Sequence, residues 1–278
     1  MQFVFLGHSP MSAHCPVDGS INPSPLPALA HLVEEVAVSI NINGINHAVM
    51  MTTPDDLDDF AIGFLFCESI IHHNHDVHDI RVTPTELGFV LDVTIANRCL
   101  AQLQRRRRRL TGATGCGICG VEAVEQAFPE LRPLPLTPPL DAGLLVGLRP
   151  QIAQWQLKAQ QYGAIHAALA LDAQGKIVHC REDIGRHNAL DKLIGLLLRR
   201  QLACDTLVVT SRCGSELIQK AVLFGARHLV CLASPSQLAV RLALKYHLNV
   251  VHIPKFDAPV CYSSHRPSDP IGECHEPY

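Results

Sequence analysis

From residue 164 to residue 253 short apolar runs alternate with amphipathic stretches, and this alternation restricts the fold more than any other feature of the chain. Residues 164–171 and 176–180 read as strands joined by the turn Asp172-Ala-Gln-Gly175; helix 188–200, strand 206–210, helix 215–224, strand 228–232, helix 236–247 and strand 249–253 follow. Strands this apolar need cover on both faces, which helices laid against a sheet provide. The pattern therefore predicts a layered α/β domain whose sheet is partly parallel. A helix over 144–161 leads into it. In such sheets ligands gather at the carboxyl ends of the strands, which directs attention to the loops after Cys180, Thr210, Leu232 and Ile253.

The preceding half reads as a smaller α+β domain. Residues 36–42 and 45–51 have strand composition on either side of Asn43-Gly44, a pair that favours a tight type I′ hairpin. Thr53-Pro54-Asp55-Asp56 offers an N-cap, a proline for the first helical position and early acids; Leu57, Phe60, Ala61, Phe64 and Leu65 then share one helical face. The histidine-rich stretch 72–78 has turn composition and no repeating ligand spacing, so a solvated loop is favoured over a metal site. Strands over 79–82 and 89–95 precede a helix over 97–110 that ends in five arginines at 105–109. A solvated helix end accounts for that run, although its place beside two thiols also suits it to holding phosphate or lowering a thiol pKa.

Residues 1–30, rich in Pro, Ser and His and without periodicity, predict a mobile arm; 31–130 form the smaller domain, 131–140 a proline-rich linker and 141–278 the layered domain. With 47% hydrophobic residues, 278 residues can bury two cores. Eleven cysteines, an odd number scattered through apolar segments, suit free thiols in a reducing compartment, so a cytoplasmic protein is expected. No apolar run is long enough to span a bilayer. Nucleic acid is not an expected partner: the net charge is −3 and no basic stripe is interleaved with aromatics.

Two loops at the predicted carboxyl edge are dense in polar chemistry. Arg181-Glu-Asp183-Ile-Gly-Arg186-His187-Asn188 supplies guanidinium forks, carboxylates, an imidazole and an amide just before a helix whose N–H groups favour anions. In a purely structural alternative Asp183 caps the helix and Arg181 pairs with Glu182. Thr210-Ser-Arg212-Cys-Gly-Ser215-Glu216 repeats the arrangement, with Ser215 a further N-cap candidate. The remaining chemistry lies in Thr111-Gly-Ala-Thr-Gly-Cys116-Gly-Ile-Cys119-Gly120. Glycines there permit close approach, and the short helix expected over 121–128 places Cys116 and Cys119 near N–H groups that lower thiol pKa. This is a sulfur-handling arrangement.

Taken together, these stretches resemble the formate dehydrogenase accessory sulfurtransferase family, FdhD. The resemblance rests on Ile45-Asn-His-Ala-Val-Met-Met with Asp59-Phe-Ala-Ile-Gly63, on Gly115-Cys-Gly-Ile-Cys-Gly120, on Arg181 through Lys192, and on Ser215-Glu-Leu-Ile-Gln-Lys-Ala221, all in the family's order. It implies a cytidine-deaminase-like layered α/β domain, a homodimer, and a sulfur carrier that passes sulfane sulfur from a cysteine desulfurase to the molybdenum cofactor before insertion into formate dehydrogenase. The bound substrate it implies is molybdenum bis(molybdopterin guanine dinucleotide), with a guanine nucleotide as mimic. Zinc deaminases carry His-x-Glu, whereas His166 here is followed two residues later by Ala168, so no deaminase chemistry is expected.

Carried over by the resemblance, Cys116 is the persulfide-bearing nucleophile and Cys119 its alternative or a resolving thiol. Arg181, Asp183, Arg186, His187, Asn188 and Arg212 become cofactor contacts, as does the segment Ile253-Pro254-Lys255-Phe256-Asp257-Ala258. Two departures stand out: Tyr162 before Gly163 replaces a common threonine, and the last segment keeps one lysine in place of an Arg-Gly-rich stretch. A cofactor chaperone without covalent sulfur transfer needs only the loops. A structural zinc or redox CxxC protein needs only the thiols, with Cys99, His166 or another subunit completing a zinc site.

Overall fold

The computed structural model describes residues 32–101, 103, 130–163 and 165–263. The arm over 1–30, the arginines at 105–109, both cysteines of the CxxC and the helix expected over 121–128 lie outside the described residues.

The first sheet grows from the hairpin. β1 (Val36–Ile42) and β2 (Ile45–Thr52) are antiparallel around Asn43 and Gly44 at φ 48° and 78°, the left-handed pair that a type I′ turn requires. β3 (Val77–Thr85) and β4 (Gly88–Ile95) complete a sheet of order β2-β1-β4-β3, in which β1 and β4 run parallel. Alternation sends Val38, Ile40 and Ile42 of β1 and Leu91, Val93 and Ile95 of β4 to one face, where α1 (Leu57–Cys67) covers them with Phe60, Ala61, Phe64 and Leu65. The opposite face is polar in its middle, with Asn41 donating to Asp92 at 2.9 Å.

The second sheet has the order β10-β9-β8-β7-β5-β6, built from β5 (His166–Leu171), β6 (Ile177–Asp183), β7 (Thr206–Arg212), β8 (His228–Ala233), β9 (Asn249–His252) and β10 (Val260–Tyr262). β7, β8 and β9 are parallel; β5, at the junction, is antiparallel to both β6 and β7, and β10 is antiparallel to β9. One face is covered by the helices α4 (Arg186–Arg199), α5 (Ser215–Phe224) and α6 (Gln237–Lys245), and the other by α2 (Leu148–Trp155) with the 3-10 turn Ala142–Leu145. Helices on both faces explain why β5, β7, β8 and β9 are built on buried apolar runs.

α1 and α4 cross with their backbones in close approach. A Cβ on Gly63 would stand 1.8 Å from the Asp191 carbonyl oxygen, and one on Gly195 1.8 Å from that of Asp59, so both positions require glycine. This crossing joins the layer under the first sheet to the layer over the second.

The structure departs from the sequence pattern in several places. α1 starts at Leu57, with Asp56 as N-cap in the left-handed region at φ 54°; Thr53 is not the cap, because its hydroxyl bonds Asp183 and Lys192. The single helix expected over 144–161 is three pieces, interrupted where Gly147 turns left-handed at φ 71° and where Gln156 leaves helical geometry, before α3 (Leu157–Tyr162). Arg181, Glu182 and Asp183 belong to β6, not to a loop, and β10 had no signal in the sequence. Ser215 is the first helical residue of α5; Gly214 holds the N-cap position. The proline-rich stretch is hydrogen-bonded along its length: Leu134 N–H donates to Tyr246 O at 3.0 Å, and Asn249 Nδ2 donates to the carbonyls of Thr137 and Pro138.

Candidate functional site

β6 runs in the same direction as β7, β8 and β9, so their carboxyl ends line one edge of the second sheet. α4 leaves that edge after Gly185 and α5 after Gly214, and neither helix has a side-chain N-cap. Two sets of helix-start N–H groups therefore open at the same edge without a side-chain acceptor, a setting that favours anions. Arg186 and Arg212 are exposed there, His187 is half-buried, and Thr210 Oγ1 accepts from Ala167 N–H at 2.9 Å.

A buried polar cluster fixes this edge from beneath. Asp183, wholly inaccessible, accepts from Thr52 Oγ1 at 2.5 Å, from Thr53 N–H at 3.1 Å and Thr53 Oγ1 at 3.0 Å, from Gly185 N–H at 2.8 Å and from Asn188 Nδ2 at 3.1 Å. The equally inaccessible Lys192 ammonium lies 2.7 Å from it and also donates to Thr53 O and Oγ1. Burial alone would raise the Asp183 pKa. The Lys192 charge and the hydrogen bonds outweigh it and hold the carboxyl below its ordinary value. Asn188 completes the cluster by donating to Met51 O at 2.8 Å. Asp183 and Asn188 are thus committed to joining β2 to the start of α4.

Arg181 points elsewhere. Its guanidinium donates to Asp59 Oδ2 through Nε at 3.0 Å and Nη2 at 2.7 Å, while Arg199 donates to Asp59 Oδ1 at 2.7 Å, so the carboxylate of α1 is shared between two forks. These groups line a cleft of about 540 Å³ together with Leu57, Phe89 and Arg200. The Arg181–Glu182 pairing open to the sequence does not form. Glu182 accepts instead from Lys158 N–H at 2.9 Å and Ala159 N–H at 3.0 Å, acting as the acceptor for the start of α3.

The fourth loop is anchored at its root. Ile253 is buried, its N–H donates to Cys231 O at 2.9 Å, and its carbonyl accepts from Arg149 Nη2 at 2.5 Å. The same Nη2 reaches Leu232 O at 2.7 Å, so Arg149 ties the carboxyl ends of β8 and β9 together. Pro254 is half-buried; Lys255, Phe256, Asp257 and Ala258 are exposed, with the Lys255 ammonium 5.2 Å from the Phe256 ring centre. Arg149 carries no motif and was not legible in the sequence. Asp191 pairs with Lys220 across two helices, a contact that no local pattern around either residue signals.

The structure therefore brings Arg186, His187, Arg212 and the loop after Ile253 to one edge, with Asp183 and Asn188 beneath it and Arg181 in the neighbouring cleft. Cys99 is buried in the core under the first sheet, whereas His166 heads β5 at the edge, its pKa lowered by burial and by Arg186. Among the described residues no group of three metal-binding side chains converges. None of the helices among them is long and apolar enough to cross a membrane.

The sequence model of the FdhD/NarQ family matches residues 33–267. A "Sulfur carrier protein FdhD" of Cupriavidus necator is 38% identical over 234 residues, covering 84% of this chain and 81% of that protein. Proteins of the same name from Bordetella bronchiseptica and Bordetella petrii are 38% and 39% identical over 223 and 220 residues; the matches cover 80% and 76% of this chain and 81% and 77% of theirs. A crystal structure assigned as a formate dehydrogenase accessory protein from Desulfotalea psychrophila superposes with a TM-score of 0.61 at 20% identity, over 84% of this chain and 87% of that one.

Proposed function

The chain belongs to the FdhD/NarQ family, and from that premise we propose that it is a sulfur carrier serving formate dehydrogenase. In this reading the Cys116 thiolate attacks the terminal sulfur of a persulfide on a cysteine desulfurase. The donor S–S bond breaks, the donor leaves as thiolate, and Cys116 becomes the persulfide. The persulfide persists until an acceptor is bound; attack by Cys119 on Cys116 Sγ then forms a disulfide within the pair and releases the sulfane sulfur as hydrosulfide, the two electrons coming from the thiols. The molybdenum cofactor, as substrate, takes up that sulfur.

The observation that carries the placement of the cofactor is the shared edge where α4 and α5 begin without side-chain caps beside Arg186, His187 and Arg212. The guanine dinucleotide arms of molybdenum bis(molybdopterin guanine dinucleotide) bring pyrophosphates, and paired helix starts with two exposed guanidinium groups fit such anions. Lys255 and Phe256, projecting from the Arg149-anchored root, offer a cation and an exposed ring to the base. We read the second sheet, covered by helices on both faces, as deaminase-like. In this reading Ala168 takes the place that the deaminase His-x-Glu pattern gives to its proton-shuttling glutamate.

A homodimer in the cytoplasm, with the desulfurase and formate dehydrogenase as successive partners, completes the proposal. The test is maturation of formate dehydrogenase in cells lacking their own carrier. Wild type restores activity and Cys116→Ala does not; restoration by Cys116→Ala would leave the chain a non-covalent cofactor chaperone.

A further inference from the structure

α4 and α5 start at the same edge and are laced together by two rungs of side chains one helical turn apart. At the upper rung His187 Nε2 stands 3.6 Å from Glu216 Oε2, with the two side chains 34% and 58% exposed. At the lower rung Lys220 Nζ donates to both oxygens of Asp191, at 2.6 and 2.8 Å, with the side chains 11% and 2% exposed. His187 and Asp191 are four residues apart on α4, and Glu216 and Lys220 are four apart on α5, so each rung repeats on the same helix faces.

The rungs differ in kind. The lower one is a closed, bidentate pair: burial opposes the Lys220 charge, but Asp191 outweighs it and raises that pKa. It is also held from behind, because the Cys67 thiol of α1 lies against Asp191 and the α1 backbone at Gly63 abuts the Asp191 carbonyl. The upper rung is open. His187 Nε2 is buried yet has no hydrogen-bond partner, since Glu216 stops just short of bonding distance.

We propose that Asp191 and Lys220 are positioning residues that set the register of α4 against α5, and so hold the His187 imidazole opposite Glu216 with Nε2 unpaired just beneath the edge where both helices begin. The inference rests on reading that edge as the ligand site. The groups facing His187 are Arg186 on its own helix, Glu216 and Lys220 on α5, and Asp191 below. Burial and Arg186 lower its pKa, with Glu216 and Asp191 opposing them. These opposing influences leave the ring biased toward its neutral form, with Nε2 unpaired beneath the edge.

The test is the electrostatic coupling between the two upper residues, read from the His187 imidazole titration by NMR. In the wild-type background Glu216→Gln lowers the His187 pKa by about half a unit. In an Asp191→Asn/Lys220→Met background, where the lock is absent but net charge is unchanged, the same substitution shifts it by less than a third as much. An equal shift in both backgrounds overturns the proposal. Should the double variant not fold, Asp191→Glu, which lengthens the rung while keeping its charge, is read in the same way. Guanosine diphosphate is titrated in parallel against wild type and His187→Gln. Absence of binding to wild type counts against the site reading, whereas unchanged coupling counts against the lock, so the two failures are told apart.

Discussion

Replacing Asp183 by Asn removes one charge from a place with no access to water and leaves its partner stranded. Lys192 is 0% exposed, and its other contacts are the carbonyl and hydroxyl of Thr53, which cannot neutralise an ammonium. Removing one member of a buried pair typically costs about 3–5 kcal/mol, most of it the penalty of the uncompensated charge. For a domain whose total stability is about 5–15 kcal/mol this is a large fraction. With a urea m-value of about 3 kcal/mol/M the midpoint falls by about 1–1.7 M. Adding Lys192→Met should recover more than half of the loss, because the second substitution removes the stranded charge. Equilibrium urea denaturation followed by circular dichroism of wild type, both single variants and the double variant closes the cycle. Single substitutions costing less than about 1 kcal/mol, or a double variant as unstable as the sum of the two, would refute the network and return Asp183 to the role of a ligand contact.

Three further outcomes follow from the same geometry. Burial would raise the Asp76 pKa, but the N–H groups of His72 and His73 and the charge of Arg98 hold it at about 2, and that of Asp183 is also depressed. Their stabilisation is complete above the unfolded carboxyl pKa of about 3.9 and disappears as pH falls through the folded values, so thermal midpoints should drop between about pH 4 and pH 2. A midpoint flat over that range contradicts the assignment. Gly63→Ala forces the α1–α4 crossing apart and should lower stability by more than about 2 kcal/mol, whereas Gly44→Ala, with open space around it, meets only the strain of its positive φ. Phe60→Ala, in the core under the first sheet, should cost about 3–5 kcal/mol in the same denaturation assay.

Much of the scaffold was legible because local chemistry and tertiary structure agree there. Asn43-Gly44 demands a left-handed turn wherever it occurs, and the apolar runs of β7, β8 and β9 fit only a sheet covered on both faces. Legibility failed where a local signal was satisfied by a distant partner. Arg181, Glu182 and Asp183 look like a loop because they are charged, yet they continue β6: Arg181 meets Asp59, 122 positions away, and Glu182 meets the start of α3. Thr53 has the chemistry of a helix cap, but its hydroxyl serves a carboxylate 130 positions away. The edge itself is legible from the strand ends, which carry Arg186, His187 and Arg212. Arg149 was invisible, since an arginine that clamps two carbonyls leaves no mark in the sequence.

The account stands most directly on the thiol that is to carry sulfur. The decisive measurement is the intact mass of the protein after incubation with a cysteine desulfurase and cysteine, for wild type, Cys116→Ala and Cys119→Ala. The account predicts a gain of one sulfur atom in wild type and in Cys119→Ala, lost on brief reduction and absent from Cys116→Ala. No gain in wild type, or a gain that survives in Cys116→Ala, would contradict the assignment of Cys116 as the carrier.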